Sequence, residues 1–460
     1  VVNSRLVKPD PRSASGSVSF GYQDERFVRY SLGTEDGLNP LDVKKPEWTK
    51  RQLAFHVNQP VGERTALLFG FSRADAAGRK QKNPQYLAGH ADSESRSDFY
   101  RLGVVHEAAI GTFSLTANVT DYKQGWDAAY SRDLHIDVEG KGRSLTGAFE
   151  REFGALSFAG LEARNVKLQF GVTLQSNETA NDYNSNVLRS WIQRGRTGWE
   201  ATFMDDWCRT ITSGTENTIC YDGGYGDRAL KDDLVQATAK LTGEIWKGTF
   251  SLGMTVSHAD AQRTYEGYAM YVASGSGTTD STLAGKSFSA FICPAGDPAC
   301  TAEEYGRTRT QLQGYTLDVD ATKLESWLEL EQKWGDFGLR AGLRLDYNDV
   351  LENWDLAPRL VATWTPSDAL TFTLGANRYY SDNWIGYAIH DNTLFPVAST
   401  RSHDASTGVV GEWSTPAAQR SYRYTGSGLD TPYTDELALG MTFRDAWTDG
   451  TWRFRVTHRD

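Results

Sequence analysis

Nucleophilic, acid–base and metal chemistry require His, Cys, Ser or carboxylate side chains that converge, and convergence within one element leaves a readable spacing. The eight histidines of this 460-residue chain leave none: His106, His135, His258 and His390 among them stand far apart, with no His-x-x-x-His run and no Ser/His/Asp grouping. Four cysteines fall in two local pairs, Cys208 with Cys220 and Cys293 with Cys300, each in a stretch rich in Gly, Thr, Ser, Asp or Pro. Neither pair has Cys-x-x-Cys spacing and no His accompanies them, so they read as loop disulfides in an oxidising compartment and not as zinc ligands. No cofactor and no metal centre is expected. Asp205, Asp206, Asp222 and Asp227 carry oxygen donors of the kind Ca²⁺ takes, but an acidic solvated loop is the plainer reading.

Binding chemistry remains. The stretch "DDWCRTITSGTENTICYDGGYGD" offers Trp207, Tyr221 and Tyr225 around one cysteine pair, and "RYYSDNWIGYAIHD" offers Tyr380, Trp384 and Tyr387. Aromatics held on rigid loops bury flat or greasy solutes at low entropic cost and stack on sugar or chelate rings. The competing reading is that they pack loop against loop or stand in an interfacial belt. A net charge of −11 argues against a nucleic-acid partner, which would need a basic surface.

The elements that carry these loops follow from composition and period. Only 39% of residues are apolar while 12% are aromatic, with 14 Trp and 21 Tyr, a poor recipe for one large dry core. Mean hydropathy is −0.51 and no window is apolar for long enough to form a membrane-spanning helix. Membrane β-barrels also average low, because lipid-facing and lumen-facing residues alternate. That alternation is present. The pentapeptide Gly-Thr-Phe-Ser-Leu occurs at 111–115 and 248–252, each time after a short polar corner. The second copy opens a row of Phe250, Leu252, Met254 and Val256 set against Thr249, Ser251, Gly253, Thr255 and Ser257. Further rows run through 235–245, 337–347, 370–377 and 436–444.

Short corners at 59, 108, 152, 245, 333, 365 and 446 alternate with long polar excursions near 176–227, 263–316 and 382–430. Short turns on one rim and long loops on the other are the asymmetry of an outer-membrane barrel. About 15 strands are expected, the last ending near 460. An odd count leaves an edge that hydrocarbon does not tolerate, so the chain reads as the central part of a longer one. The polar row is heavily charged in the second half: Glu325, Glu329, Arg340, Arg344, Arg359 and Arg444 are expected to face a lumen and either solvate it or grip a plug. His258, assigned to the polar row, is expected in the lumen or a loop.

The stretch Gly342 to Asp382 resembles the middle of a TonB-dependent outer-membrane receptor barrel. Gly342, Arg344 and Asp346 match its G-x-R-x-D strand, Pro358 and Arg359 its PR strand, and Arg378, Tyr379 and Tyr380 a strand ending in RYY. Tyr433 to Gly440 resembles its E-x-x-x-G strand entry, and the opening residues, with Asn3 and Lys8, loosely resemble its plug-to-barrel junction. The resemblance implies a transmembrane antiparallel β-barrel of about 22 strands in the bacterial outer membrane. Residues 1–12 would end the plug domain and 13–460 would form part of the barrel. It also implies active uptake of a scarce small nutrient, an iron-siderophore or similar chelate or an oligosaccharide, with energy from the TonB complex acting through an N-terminal plug. The lipid bilayer, plug, TonB complex and nutrient are then the partners, and catalytic residues should be absent. A passive porin or surface adhesin, and a soluble all-β carbohydrate-binding protein, are the alternatives.

Overall fold

The computed structural model describes residues 9–29, 45–83, 85–87, 89–158, 160–194, 203–208, 217–273, 286–381, 384–418, 423–424, 428–445, 447–448 and 450–460. In chain order the strands begin with β1 (Ser15–Asp24), β2 (Glu47–Pro60), β3 (Thr65–Gln81), β4 (His90–Ala108), β5 (Gly111–Asp127), β6 (His135–Phe158) and β7 (Leu161–Tyr183). There follow β8 (Val187–Arg194), β9 (Asn217–Gly223), β10 (Arg228–Ile245), β11 (Gly248–Tyr265), β12 (Tyr268–Val272), β13 (Thr308–Leu312) and β14 (Tyr315–Trp334). The last are β15 (Phe337–Asn348), β16 (Trp354–Ser367), β17 (Leu370–Tyr380), β18 (Val397–Thr400), β19 (Ala417–Ala418), β20 (Tyr433–Arg444) and β21 (Thr451–Arg459). Helix α1 (Trp384–Asn392) lies between β17 and β18.

Fifteen strands form one sheet in the order β1-β2-β3-β4-β5-β6-β7-β10-β11-β14-β15-β16-β17-β20-β21, and the other six form a second, β19-β18-β13-β12-β8-β9. The wall has the 15 strands that its period suggests, but they run further toward the loops. β7 continues to Tyr183, where a loop from 176 was expected, and the loops carry strands of their own.

Register puts like with like. Leu252 lies opposite Leu241 on one side and Leu328 on the other, and Val256 lies between Ala237 and Leu324. This apolar row is the exposed one: Leu252 is 47% and Met254 48% exposed, while Thr255 and Ser257 of the alternate row are buried. A soluble sheet hides its apolar face. An exposed apolar face that continues from strand to strand is the face of a wall set in hydrocarbon. Aromatic rings gather at its limits. Phe113 and Phe149 (4.9 Å between centroids), and Trp364 between Phe337 and Phe372, stand at the short-turn rim. Phe71 with Tyr100 and Tyr347 with Trp354 stand toward the loops.

Both copies of the pentapeptide leave a short turn. At Gly248 a Cβ would lie 1.7 Å from the carbonyl oxygen of Glu331, so the backbone there approaches its neighbour too closely for any other residue. Phe250 covers Gly243, where a Cβ would lie 2.7 Å from the ring. Before β1, Asn58 holds the entering segment: its side chain accepts from the backbone of Asp10 at 2.9 Å and donates to the carbonyls of Asp10 and Ser13. Asn58 belongs to the row opposite Val57, so this segment runs along the inner face.

A charge placed in the outward row meets hydrocarbon. Met254→Arg is expected to lower stability by about 2–4 kcal/mol, measured by denaturant unfolding of the protein folded into lipid vesicles. A loss below about 0.5 kcal/mol would contradict the assignment of faces.

Candidate ligand-binding site at the loop end of the wall

Three inward-row positions at strand ends are tyrosines: Tyr183 closes β7, Tyr265 closes β11 and Tyr315 opens β14. Tyr225, just before β10, and Tyr268, the first residue of β12, fill the spaces between them. Ring centroids lie 5.8 Å apart for Tyr183 and Tyr225, 5.2 Å for Tyr225 and Tyr268, 6.5 Å for Tyr268 and Tyr265, and 5.7 Å for Tyr265 and Tyr315. All are edge-to-face contacts, the arrangement ring quadrupoles favour. The Tyr265 hydroxyl donates to the Tyr225 carbonyl at 3.2 Å. Burial raises the Tyr225 phenol to about 12 and pushes Tyr268 in the same direction, so both stay neutral hydrogen-bonding groups at physiological pH.

Helix α1 continues this arc. The inward residues Ala261, Leu317, Val319 and Ala321 form a buried apolar patch that receives Ala388, with Trp384, Ile385, Tyr387 and Ile389 packed against it. Small residues on the wall let the helix come close, so the loop after β17 is held against the inner face. Asp391, next on the helix, accepts from the backbone N–H of Tyr424 at 2.9 and 3.0 Å. The Tyr424 ring then lies 4.6 Å from Tyr387 and 4.9 Å from His390, with Phe395 5.7 Å beyond His390. The result is an aromatic, half-buried surface along the inner wall from β7 to α1.

The residues singled out from sequence divide among several places. Tyr225, Trp384 and Tyr387 belong to the arc. Trp207 is only 7% exposed, in a cluster with Tyr86, Trp191, Met204 and the Cys208–Cys220 disulfide, whose sulfurs lie 2.09 Å apart. Tyr221 lies on β9 beside that cluster, its backbone N–H donating to the Tyr86 hydroxyl at 3.0 Å. Tyr380 stands in the outward row, its ring 5.7 Å from Tyr433, so it belongs to the girdle on the loop side. The second disulfide, Cys293–Cys300, borders a cluster of Phe291, Tyr305 and Val410. Tyr183, Tyr265, Tyr268, Tyr315 and Tyr424 escaped the sequence reading. For the first four the signal was there, a tyrosine in or beside the inward row at a strand end.

The charged residues lie in the row opposite the exposed apolar one. Lys323 and Glu325 pair at 3.0 Å, Arg344 bonds both Glu325 and Asp346, and Arg340 reaches Glu329 at 2.6 Å. Arg359 lies over the Tyr379 ring at 5.3 Å, and Arg444 ends β20 at the short-turn rim. His258 corrects its assignment: it continues the outward row past Val256, bonded to Thr322 at 3.1 Å and 3.5 Å from Asp260, because that row turns polar above the hydrocarbon. Of the acidic loop residues, Asp222 pairs with Arg189 at 2.7 Å and Asp227 accepts from the Tyr183 N–H at 2.7 Å. Among the described residues no three His, Cys, Asp or Glu side chains converge as a metal site.

No protein-family model matches the chain. Over 138 residues, 30% of this chain and 14% of the relative, it is 25% identical to the uncharacterized protein YddB of Escherichia coli strain K12. The crystal structure of the outer membrane transporter YddB from Escherichia coli superposes with a TM-score of 0.57 at 16% identity, over 90% of this chain and 47% of that one. A mutant of the ferric enterobactin receptor PfeA from Pseudomonas aeruginosa superposes with a TM-score of 0.51 at 11% identity, over 98% of this chain and 53% of that one. The chain thus spans about half the length of the structures it matches. Those structures are of transporters and receptors, and at these identities the likeness is one of fold. This chain has the transmembrane β-barrel fold of outer-membrane receptors and transporters, the fold that the resemblance of Gly342 to Asp382 also implies.

Proposed function

We propose that this chain is the loop-bearing wall of an energised outer-membrane transporter. A small nutrient, a metal chelate or an oligosaccharide, is captured at the aromatic arc and passed inward along the charged row. The observation that carries this reading is the placement of the arc: five tyrosines and α1 line the inner wall where long loops meet it. Rings held by wall strands and by a packed helix lose little freedom on meeting a solute, so they bind planar or ring-shaped ligands cheaply. Residues 9–13, held by Asn58 on the inner face, support a reading in which a plug domain of the same protein occupies the lumen. The TonB complex, acting on that plug, supplies the energy.

Three measurements test this. In a screen of metal chelates and oligosaccharides against the full-length protein, Tyr268→Ala and Tyr387→Ala should each weaken the ligand found by roughly two- to tenfold. Unchanged affinity in both variants would remove the arc as the site. In cells, loss of the TonB complex should abolish uptake and leave surface binding intact, whereas uptake that persists would indicate a passive pore. Cys208→Ser opens a bridge with a sequence separation of 12 and should cost the loop about 3 kcal/mol. Hydrogen exchange should rise across 203–208 and 217–223 and stay unchanged in β10 and β11; equal exchange in the loop would show that the cluster holds without the bridge.

A further inference from the structure

The inward row of β6 loses its side chains at Gly140 and Gly142, which follow Ile136 and Val138 on the same face. Tyr122 and Thr120 of β5 stand opposite the two glycines on one side, and Thr179 and Asn177 of β7 on the other. A Cβ at Gly140 would lie 3.6 Å from the Tyr122 Cβ. One at Gly142 would lie 3.2 Å from the Asn177 side-chain oxygen and 3.7 Å from the Thr120 Cβ. The flanking side chains thus lean over a floor of bare backbone. Two strand spacings separate β5 from β7, so the groove between them is about 10 Å across, backbone to backbone.

This groove opens from the aromatic arc. At its loop end Trp126, Val138, Tyr183 and Tyr225 pack against the buried Leu134 and Ile136, and Tyr183 follows Asn181 in the inward row of β7. No charged side chain belongs to the rows that line it. From Thr116 to Trp126 on β5, Ile136 to Thr146 on β6 and Thr173 to Tyr183 on β7 they hold amides, hydroxyls, aromatic rings, Gly, Ile and Val. The inward rows of β14 and β15, with Glu325, Arg344 and Asp346, are the opposite case. Within the groove Asn118 donates to the Ser144 hydroxyl at 3.0 Å, and the Tyr122 hydroxyl donates to Gln124. Asn177 and Thr179 are exposed, and no hydrogen bond among the described residues occupies their side chains.

We propose that this groove binds neutral sugar units of an oligosaccharide whose end is held at the arc. Sugar hydroxyls both donate and accept, and amides and hydroxyls answer in kind, so each pairing leaves no charge behind. Tyr122 and Tyr183 offer rings to the C–H faces of the same units. An anionic chelate would give up water for a lining that holds no cation, and the loss of hydration would go uncompensated. The dimensions suit an oligomer, since β7 rises about 20 Å between Asn177 and Tyr183. This assignment rests on the reading of the arc as the capture site and selects among its cargoes.

The test presents purified full-length protein to an array of neutral glycans, anionic glycans and ferric chelates. Calorimetry follows with the neutral oligosaccharide retained and with the disaccharide of the same series. Asn177→Ala should weaken the oligosaccharide by roughly two- to tenfold, and Gly142→Val, which fills the floor, by at least as much. Neither should change the affinity for the disaccharide, which the arc alone can hold, whereas Tyr268→Ala should weaken both ligands. The heat-dependent electrophoretic shift of folded barrels checks each variant. Thr179→p-benzoylphenylalanine should crosslink to the oligosaccharide on irradiation. Retention of charged ligands alone, or of no neutral glycan, would overturn the proposal, as would equal affinity of the oligosaccharide for wild type and both groove variants. Crosslinking to the plug in the presence of the oligosaccharide would assign the groove to the plug and overturn it too. Ferric chelates that bind and lose affinity on Tyr268→Ala would leave the arc as the capture site, so failure of this proposal and failure of the transport reading remain distinct.

Discussion

Hydrocarbon offers no partner to a peptide N–H or C=O, and each unpaired group there costs several kcal/mol. The rest of the structure follows from that constraint. From β2 to β20 every wall strand pairs with a strand on each side, and all of these pairs are antiparallel. Pairing fixes alternation, and alternation sends one row to lipid and the other inward. The turns at one rim must then be tight. Trp246 at φ 53° and Gly248, pressed against the Glu331 carbonyl, are the cost of closing the β10–β11 hairpin in so few residues.

On the opposite side the constraint lapses, because water can solvate the backbone, and the loops fold by the rules of a soluble protein. Their six-stranded sheet is stitched from three separate excursions: β8 and β9 follow β7, β12 and β13 follow β11, and β18 and β19 follow α1. β12 joins two of them through a parallel pairing with β8, and β13 joins the third through β18. Strands this short bury little on their own. Two disulfides and small aromatic clusters supply what a larger core would otherwise provide.

This division explains what could be read in the sequence. The wall has a period of two sustained over ten or more residues, so its strand number and faces are legible in rows such as Leu252, Met254 and Val256. The small sheet is not, since its strands are as short as Ala417–Ala418 and some pair residues as distant in the chain as Val187 and Ala269 or Thr308 and Thr400. Parity misleads only where the environment changes along a row. His258 is polar yet outward, because its row has left the hydrocarbon, and Tyr380 is outward although it belongs to a loop-entry motif. The arc was half visible: Tyr183, Tyr265 and Tyr315 follow from parity once the strands are known to run further, but Tyr424 joins only through the Asp391 side chain, a contact no spacing encodes.

The inward row raises an electrostatic problem of its own. Glu325 on β14 lies directly opposite Asp346 on β15, and like charges in that position repel. The arrangement holds because Arg344, two residues before Asp346, donates to both carboxylates, while Lys323 pairs with Glu325 from the same strand. Asp355 on β16 lies opposite Asp346 in turn, so two cations stand among three carboxylates there, with Glu325 and Asp346 tied to Arg344 and Lys323. Without its partners, Glu325 or Arg344 would be an isolated charge on a half-buried wall, costly to hold there.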